Sequence, residues 1–141
     1  MLSTNTGPSR AEELLFLASQ AARKAYAPYS HFRVGAALLC ADGEVITGAN
    51  VENRSFGLTN CAERSAVFAA VSAGKKEFAA IAIACIDSRK PVSPCGACRQ
   101  VLSEFAGKDF PVYFRGKKEE IVATTLGELF PYDALHELRR E

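Results

Sequence analysis

Three of the five cysteines in this 141-residue chain stand where they could share a metal ion. Cys95-Gly-Ala-Cys98 is a CxxC, a spacing used by redox dithiols as well as by zinc sites. A helix opened by Pro94-Cys95 would carry both sulfurs on one side, about one turn apart, as two ligands of one tetrahedral zinc require. Cys61 sits earlier in the chain, also at the start of a predicted helix. The partial positive charge of a helix N-terminus favours thiolate over thiol. Three protein ligands leave a fourth position for water, the pattern of catalytic rather than structural zinc. Cys40 and Cys85 are the alternatives for a fourth ligand. Both lie among apolar neighbours in predicted strands and read as ordinary buried cysteines.

Glu63 follows Cys61 by two residues, in the first turn of the same helix. By itself it would be read as a carboxylate complementing the helix dipole. Beside an open zinc, it becomes a group able to take a proton from water and hand it to a substrate. Three thiolates on Zn²⁺ leave a net charge of about −1, which opposes ionisation of water there. Arg64 is placed to offset that charge by donating hydrogen bonds to sulfur, and Arg99, next to Cys98, is a second candidate. For each arginine the plainer alternative is a surface ion pair.

These residues need elements to hold them. Ser9-Arg-Ala-Glu12 has capping-box spacing, and apolar residues from Ala11 to Ala25 recur at helical spacing, predicting a first helix that ends near Tyr26-Ala-Pro28. Val34–Cys40 and Glu44–Asn50 read as two strands joined by an Asp42-Gly43 turn. Asn60 is expected to cap a helix from Cys61 to about Ala73, closed by Gly74. That helix is apolar or small nearly all round, so it is expected to be buried on more than one side and to make a subunit contact. Ala79–Ile86 reads as a central strand covered on both faces. A helix from Cys95 to about Gly107, strands at Pro111–Arg115 and Glu120–Ala123, and a short helix opened by the Thr125-Leu-Gly-Glu128 box complete the chain. The alternation implies an α/β fold, a three-layer α/β/α sandwich.

Composition narrows the function. Hydrophobic residues at 48% and charged residues at 23% fit one globular domain spanning 1–141. A net charge of +1 gives no field for long nucleic acid or an anionic membrane surface. No apolar run is long enough for a membrane span. Met1–Pro8 has no signal-peptide pattern and is expected to be a flexible lead, so the expected location is cytoplasmic, where five reduced thiols are ordinary.

Taken together, Cys61-Ala-Glu-Arg64 and Pro94-Cys-Gly-Ala-Cys98-Arg-Gln resemble the cytidine deaminase family, whose zinc chemistry the pattern serves. Tyr26-Ala-Pro-Tyr-Ser30-His-Phe32-Arg-Val-Gly-Ala-Ala37 resembles the family's approach to its first strand, and Asn50-Val-Glu52-Asn53 its ribose-binding segment. The resemblance runs from about Glu13 to Pro131. It implies a central mixed five-stranded sheet and one Zn²⁺ per subunit on Cys61, Cys95 and Cys98. It implies that Glu63 shuttles the proton and contacts pyrimidine N3 and the 4-amino group, and that Arg64 tunes the metal's charge. Asn50 and Glu52 would bind the ribose 3′-hydroxyl, Phe32 would pack on the base, and the Ala62 backbone would meet the pyrimidine carbonyl. A cysteine as first ligand resembles the small homotetrameric members, with active sites near subunit interfaces. The substrate implied is a small nucleoside, cytidine or 2′-deoxycytidine, with no nucleic-acid or membrane partner. The residues add weaker support of their own. Asn50 and Glu52 point to one face of a strand end, although without the metal motif they would read as a polar loop and Phe32 as core. The family's C-terminal aromatic, lent to a neighbouring subunit, has no clear counterpart in Leu129-Phe-Pro-Tyr132, where Phe130 and Tyr132 both qualify.

Three other functions use parts of this pattern. A deaminase of another cytosine-containing molecule, such as blasticidin S, would use the same metal motif, but Glu52 favours a ribose. A non-catalytic zinc module binding RNA or protein would need a closed four-ligand site and no Glu63. A polynucleotide deaminase fits poorly with near-neutral charge.

Overall fold

The structure is a computed structural model describing residues 8–135 and 138. Five strands, β1 (Val34–Cys40), β2 (Val45–Ala49), β3 (Phe78–Cys85), β4 (Pro111–Arg115) and β5 (Ile121–Thr125), form one sheet in the order β2-β1-β3-β4-β5. Only β3 and β4 pair in parallel; the other three pairings are antiparallel, so the sheet is mixed. Helix α1 (Pro8–Ala22) covers one face. Helices α2 (Ala62–Ser72), α3 (Gly96–Phe105) and α4 (Leu126–Leu129) cover the other, giving the expected three layers. Strand β1 is buried along all seven residues, as an inner strand between two helical layers must be.

This topology brings the chemistry together. Strands β2 and β3 both run antiparallel to β1, so they run parallel to each other. Helix α2 crosses from β2 to β3, and α3 crosses from β3 to β4. Each crossover helix begins beyond the carboxyl end of the strand before it. Both helices lie on the same face, and their N-termini therefore meet at one end of the sheet.

Local sequence explains the ends of the elements, with three corrections. Helix α1 already contains Pro8, so Ser9 lies within the first turn and not before it, and the residues Met1–Gly7 of the expected lead lie outside the described residues. The helix stops at Ala22, short of Pro28, because Tyr26 is drawn into a bridge with Val51: its N–H donates to the Asn50 carbonyl at 3.0 Å and its carbonyl accepts from the Glu52 N–H at 2.8 Å. The cap position of α2 is taken by Cys61, while Asn60 Nδ2 donates to Ser65 Oγ at 3.3 Å. At the other end of α2, Gly74 (φ 86°) closes the helix as expected. Its N–H reaches the Val71 carbonyl, and the Lys75 N–H reaches the Ala70 carbonyl, both at 2.9 Å. The Thr125 box forms too: Thr125 Oγ1 accepts from the Glu128 N–H at 3.2 Å.

Two glycines set how close the helices lie. A Cβ on Gly35 would meet the Ala22 nitrogen of α1 at 2.5 Å and the Ala18 carbonyl oxygen closer still. A Cβ on Gly48 would meet the Ala62 carbonyl oxygen of α2 at 2.7 Å and the Ala66 nitrogen closer still. Helix α2 thus rests its first turn directly on β2. Helix α2 packs on β1 and β2 and also against α3, so it is buried on more than one side as expected, while Phe68 (47% exposed) and Ala69 leave its outer side open among the described residues.

Candidate active site

Cys61 is the N-cap of α2 and Cys95 the N-cap of α3, both with extended backbone, and neither sulfur caps its helix. Each thiol is therefore left free of its helix's backbone N–H groups. Cys98, one turn into α3, is fully buried beneath them. The sulfurs of Cys61 and Cys95 are 3.9 Å apart, those of Cys95 and Cys98 are 3.5 Å apart, and all three lie within 4.8 Å of one another. Ligand sulfurs at tetrahedral angles on a zinc with bonds near 2.3 Å would stand about 3.8 Å apart. The cluster has that size. Neither Cys40 nor Cys85 joins it: Cys40 is buried at the end of β1 and Cys85 half-buried at the end of β3.

The electrostatics also call for a cation. A hydrogen bond from the Cys98 thiol, helped by Arg64, lowers Cys61 to about 5. The same bond, with burial, drives Cys98 strongly the other way. One thiolate forms readily and resists the next, a conflict that a divalent ion among the three sulfurs removes. The donor set therefore fits zinc.

Glu63 stands in the first turn of α2 and is 4% exposed. Burial pushes its carboxyl up to about 7, and the charge of a Cys61 thiolate adds to this. Arg64 Nη2 donates to Cys61 Sγ at 3.2 Å, as its charge-offsetting role requires. Its Nε is buried with no hydrogen-bond partner. Arg99 does not reach the sulfurs. It donates to the Pro94 carbonyl at 2.7 Å, the Leu129 carbonyl at 2.6 Å and Ser93 Oγ at 3.2 Å, tying the turn before α3 to the end of α4.

The segment leading into β1 and the end of β2 carry the residues expected from the sequence to bind the nucleoside. Asn50 is 9% exposed and is less a free acceptor than a brace. Its Oδ1 accepts from the Val34 N–H at 2.8 Å, and its Nδ2 donates to the Phe32 carbonyl at 2.9 Å. Glu52 Oε1 accepts from the N–H groups of Tyr29 (2.9 Å) and Ser30 (3.2 Å), while the Ser30 hydroxyl donates to Oε2. These bonds hold the Glu52 carboxyl below its ordinary range, the Ser30 hydroxyl most of all. Phe32 is half-buried against the core on the α2 and α3 side, the side that carries the sulfurs. Ala62 is fully buried at the first helical position of α2, where an N–H has no intrahelical acceptor.

Sequence reading did not single out Ser30. Its signal was available: a serine two residues before a residue whose N–H it can bind is an ST-turn pattern. The bracing role of Asn50 and the Arg99 tie are contacts across the fold that spacing does not encode.

Among known proteins, the model of the cytidine and deoxycytidylate deaminase zinc-binding region matches residues 8–114. A cytidine deaminase of Halalkalibacterium halodurans is 54% identical over 114 residues, covering 81% of this chain and 86% of the relative. The crystal structure of cytidine deaminase from Burkholderia pseudomallei superimposes with a TM-score of 0.79 at 48% identity, covering 85% of this chain and 95% of that one. A blasticidin-S deaminase of Bacillus cereus is 35% identical over 126 residues, covering 84% and 88%. With its three clustered sulfurs and its mixed sheet, the chain belongs to the cytidine and deoxycytidylate deaminase family of zinc-dependent hydrolytic enzymes.

Proposed function

We propose that this chain hydrolyses cytidine and 2′-deoxycytidine to uridine and 2′-deoxyuridine, releasing ammonia, in pyrimidine salvage. The observation that carries the reading is the buried Glu63 carboxyl beside three clustered thiols, at the meeting point of two helix N-termini. Cys61, Cys95 and Cys98 hold one Zn²⁺ per subunit. When bound, zinc supplies the Lewis acidity that makes hydroxide available from water near neutral pH. Glu63 does the proton work: its carboxylate takes the first proton that water gives up and passes it to N3, then takes the second from the new C4 hydroxyl and passes it to the 4-amino nitrogen, which leaves as ammonia. A new C4–O bond replaces the C4–N bond.

The remaining residues bind and orient. Glu52 and Asn50 receive the ribose 3′-hydroxyl. Glu52 Oε2 keeps acceptor capacity beyond the Ser30 bond, and Asn50 Nδ2 keeps a second N–H. Recognition through the 3′-hydroxyl alone treats ribose and 2′-deoxyribose alike. Phe32 packs on the base, and the Ala62 N–H meets the pyrimidine carbonyl oxygen. Arg64 offsets the negative charge of the thiolates.

We read residues 1–141 as one cytidine deaminase-like domain and the enzyme as a cytoplasmic homotetramer with its sites near subunit contacts. No helix among the described residues is long and apolar enough to cross a membrane. The exposed Phe68 on α2, with Phe56 and Leu58 beyond β2, supports a covered face. Phe130 packs on its own core, whereas Tyr132 is 91% exposed, so Tyr132 is the aromatic free to enter a neighbouring site.

The deciding experiment is ammonia release from cytidine and from blasticidin S by the wild-type enzyme and Glu63→Gln. Fast cytidine turnover that collapses in the variant is the expected result. Negligible cytidine turnover would overturn the substrate, and equal rates in both proteins would overturn the role of Glu63.

A further inference from the structure

We infer that Ser30 is a positioning residue whose hydroxyl fixes the Glu52 carboxylate and the Phe32 backbone as one unit, and so sets selectivity for a substrate 3′-hydroxyl. The inference rests on the reading that Glu52 receives the ribose.

Three bonds define the unit. The Ser30 hydroxyl donates to Glu52 Oε2, the Ser30 N–H donates to Glu52 Oε1, and the same hydroxyl oxygen accepts from the Phe32 N–H at 3.0 Å. The last bond closes an ST turn. It requires the chain to double back within one residue, and His31 between them lies in the left-handed region, with φ 56°. A non-glycine residue takes that conformation only when its surroundings demand it. The His31 N–H is itself held by the Ala27 carbonyl at 3.0 Å, which fixes the turn from the other side.

A glutamate has three side-chain torsions and, left alone at a half-exposed position, would spread over several rotamers. Here both carboxyl oxygens are fixed. Oε1 is filled by two N–H donors, so the remaining capacity lies on Oε2, the oxygen that Ser30 grips. Ser30 thus decides which way the free lone pair points. A sugar hydroxyl finds an acceptor already aimed, and binding does not have to order it. The same serine holds the Phe32 N–H while Asn50 holds the Phe32 carbonyl, so the base-packing ring and the sugar acceptor share one support.

The test is steady-state kinetics of wild type, Ser30→Ala and Ser30→Thr with cytidine and 3′-deoxycytidine, each protein checked for zinc content and thermal unfolding. Wild type is expected to favour cytidine. Ser30→Ala is expected to lose about tenfold in kcat/KM on cytidine, through KM, with little change on 3′-deoxycytidine, because Asn50 still holds the Phe32 carbonyl while no other described residue grips Glu52 Oε2. Its preference for the 3′-hydroxyl then largely disappears, and Ser30→Thr, which keeps the hydroxyl, restores it. A general structural defect would lower both substrates together. A double-mutant cycle with Glu52→Gln keeps the question open to refutation whatever the stability of the single variant: the two losses are expected to be strongly non-additive. Unchanged cytidine preference in Ser30→Ala, or additive losses, would overturn the proposal while leaving the ribose reading intact. Equal use of both substrates by wild type would overturn the ribose reading, and the proposal with it.

Discussion

The two faces of the sheet are built alike and used differently. Each receives a helix over a glycine, α1 over Gly35 and α2 over Gly48, and each is filled with alanines and branched aliphatics. Under α1, Leu14, Leu15 and Ala18 meet Ala37, Leu39 and Ala82, and the buried charge of that helix, Arg10, is paired with Glu13 at 3.8 Å. Under α2 and α3, a comparable core of Val67, Ile81, Leu102 and Val112 ends at a buried carboxyl and three sulfurs. The difference is direction. Helices α2 and α3 are crossovers that begin side by side beyond strand ends, so their positive poles converge and favour anionic ligands. Helix α1 has no such neighbour among the described residues. In the proposed function chemistry sits where two dipoles meet, and the other face contributes stability.

This division can be broken most sharply on the chemical side. Glu63→Gln should lower kcat by about 10²–10⁴ while leaving zinc content unchanged and thermal stability equal or higher, because a buried ionisable group is replaced by a neutral one. Zinc analysis and a melting curve beside the ammonia assay would check this. Removing zinc by chelation, or Cys98→Ala, should abolish activity and lower the melting temperature, since the metal binds only the folded chain. Leu14→Ala, on the other face, should cost about 2–5 kcal/mol of stability with kcat unchanged per folded molecule. A large fall in kcat would show that the α1 layer does more than support.

The two glycines sharpen the contrast further. Gly35→Ala and Gly48→Ala should each destabilise by more than the about 1–3 kcal/mol of ordinary overpacking, because each Cβ meets helix backbone. Only Gly48→Ala, which displaces the first turn carrying Ala62 and Glu63, should also lower kcat. The smallest effect lies at the edge of the site. Asp87 accepts from the Arg33 N–H and guanidinium at 2.8–2.9 Å, and these bonds hold it down to about 2. A depressed carboxylate contributes stability that is present above its unfolded value near 4 and is lost as pH falls through its folded value. The melting temperatures of wild type and Asp87→Asn should therefore differ at pH 5 and converge steadily below pH 4. The pair is exposed enough that the difference should be small.

Most of the fold was legible because its signals are local. The Asp42-Gly43 turn, Gly74, the Thr125 box and the unbroken apolar run of β3 each depend on a few neighbouring residues. The CxxC pair is local too, because its spacing aims two sulfurs together, whereas Cys61 was legible only as a helix start and joins the pair across the fold. The contacts that the sequence did not show share a cause. Tyr26 leaves α1 for a bridge with Val51, Asn50 turns inward to hold the backbone around Phe32, and Arg99 reaches the end of α4. Each is a partnership across the fold, invisible to periodicity. The close approach at Gly35 and Gly48 was hidden for the same reason.

The separation of the sulfurs along the chain has a consequence for how the molecule assembles. Cys61 and Cys95 are 34 residues apart, with all of β3 between them. They meet only once β3 has paired with β1 beside β2, a non-local closure. Before that, an ion finds at most the two thiols of the CxxC. On this reading zinc would act as a latch fitted to a finished structure, not as a template for building it. It should leave the refolding rate almost unchanged and appear instead as slower unfolding.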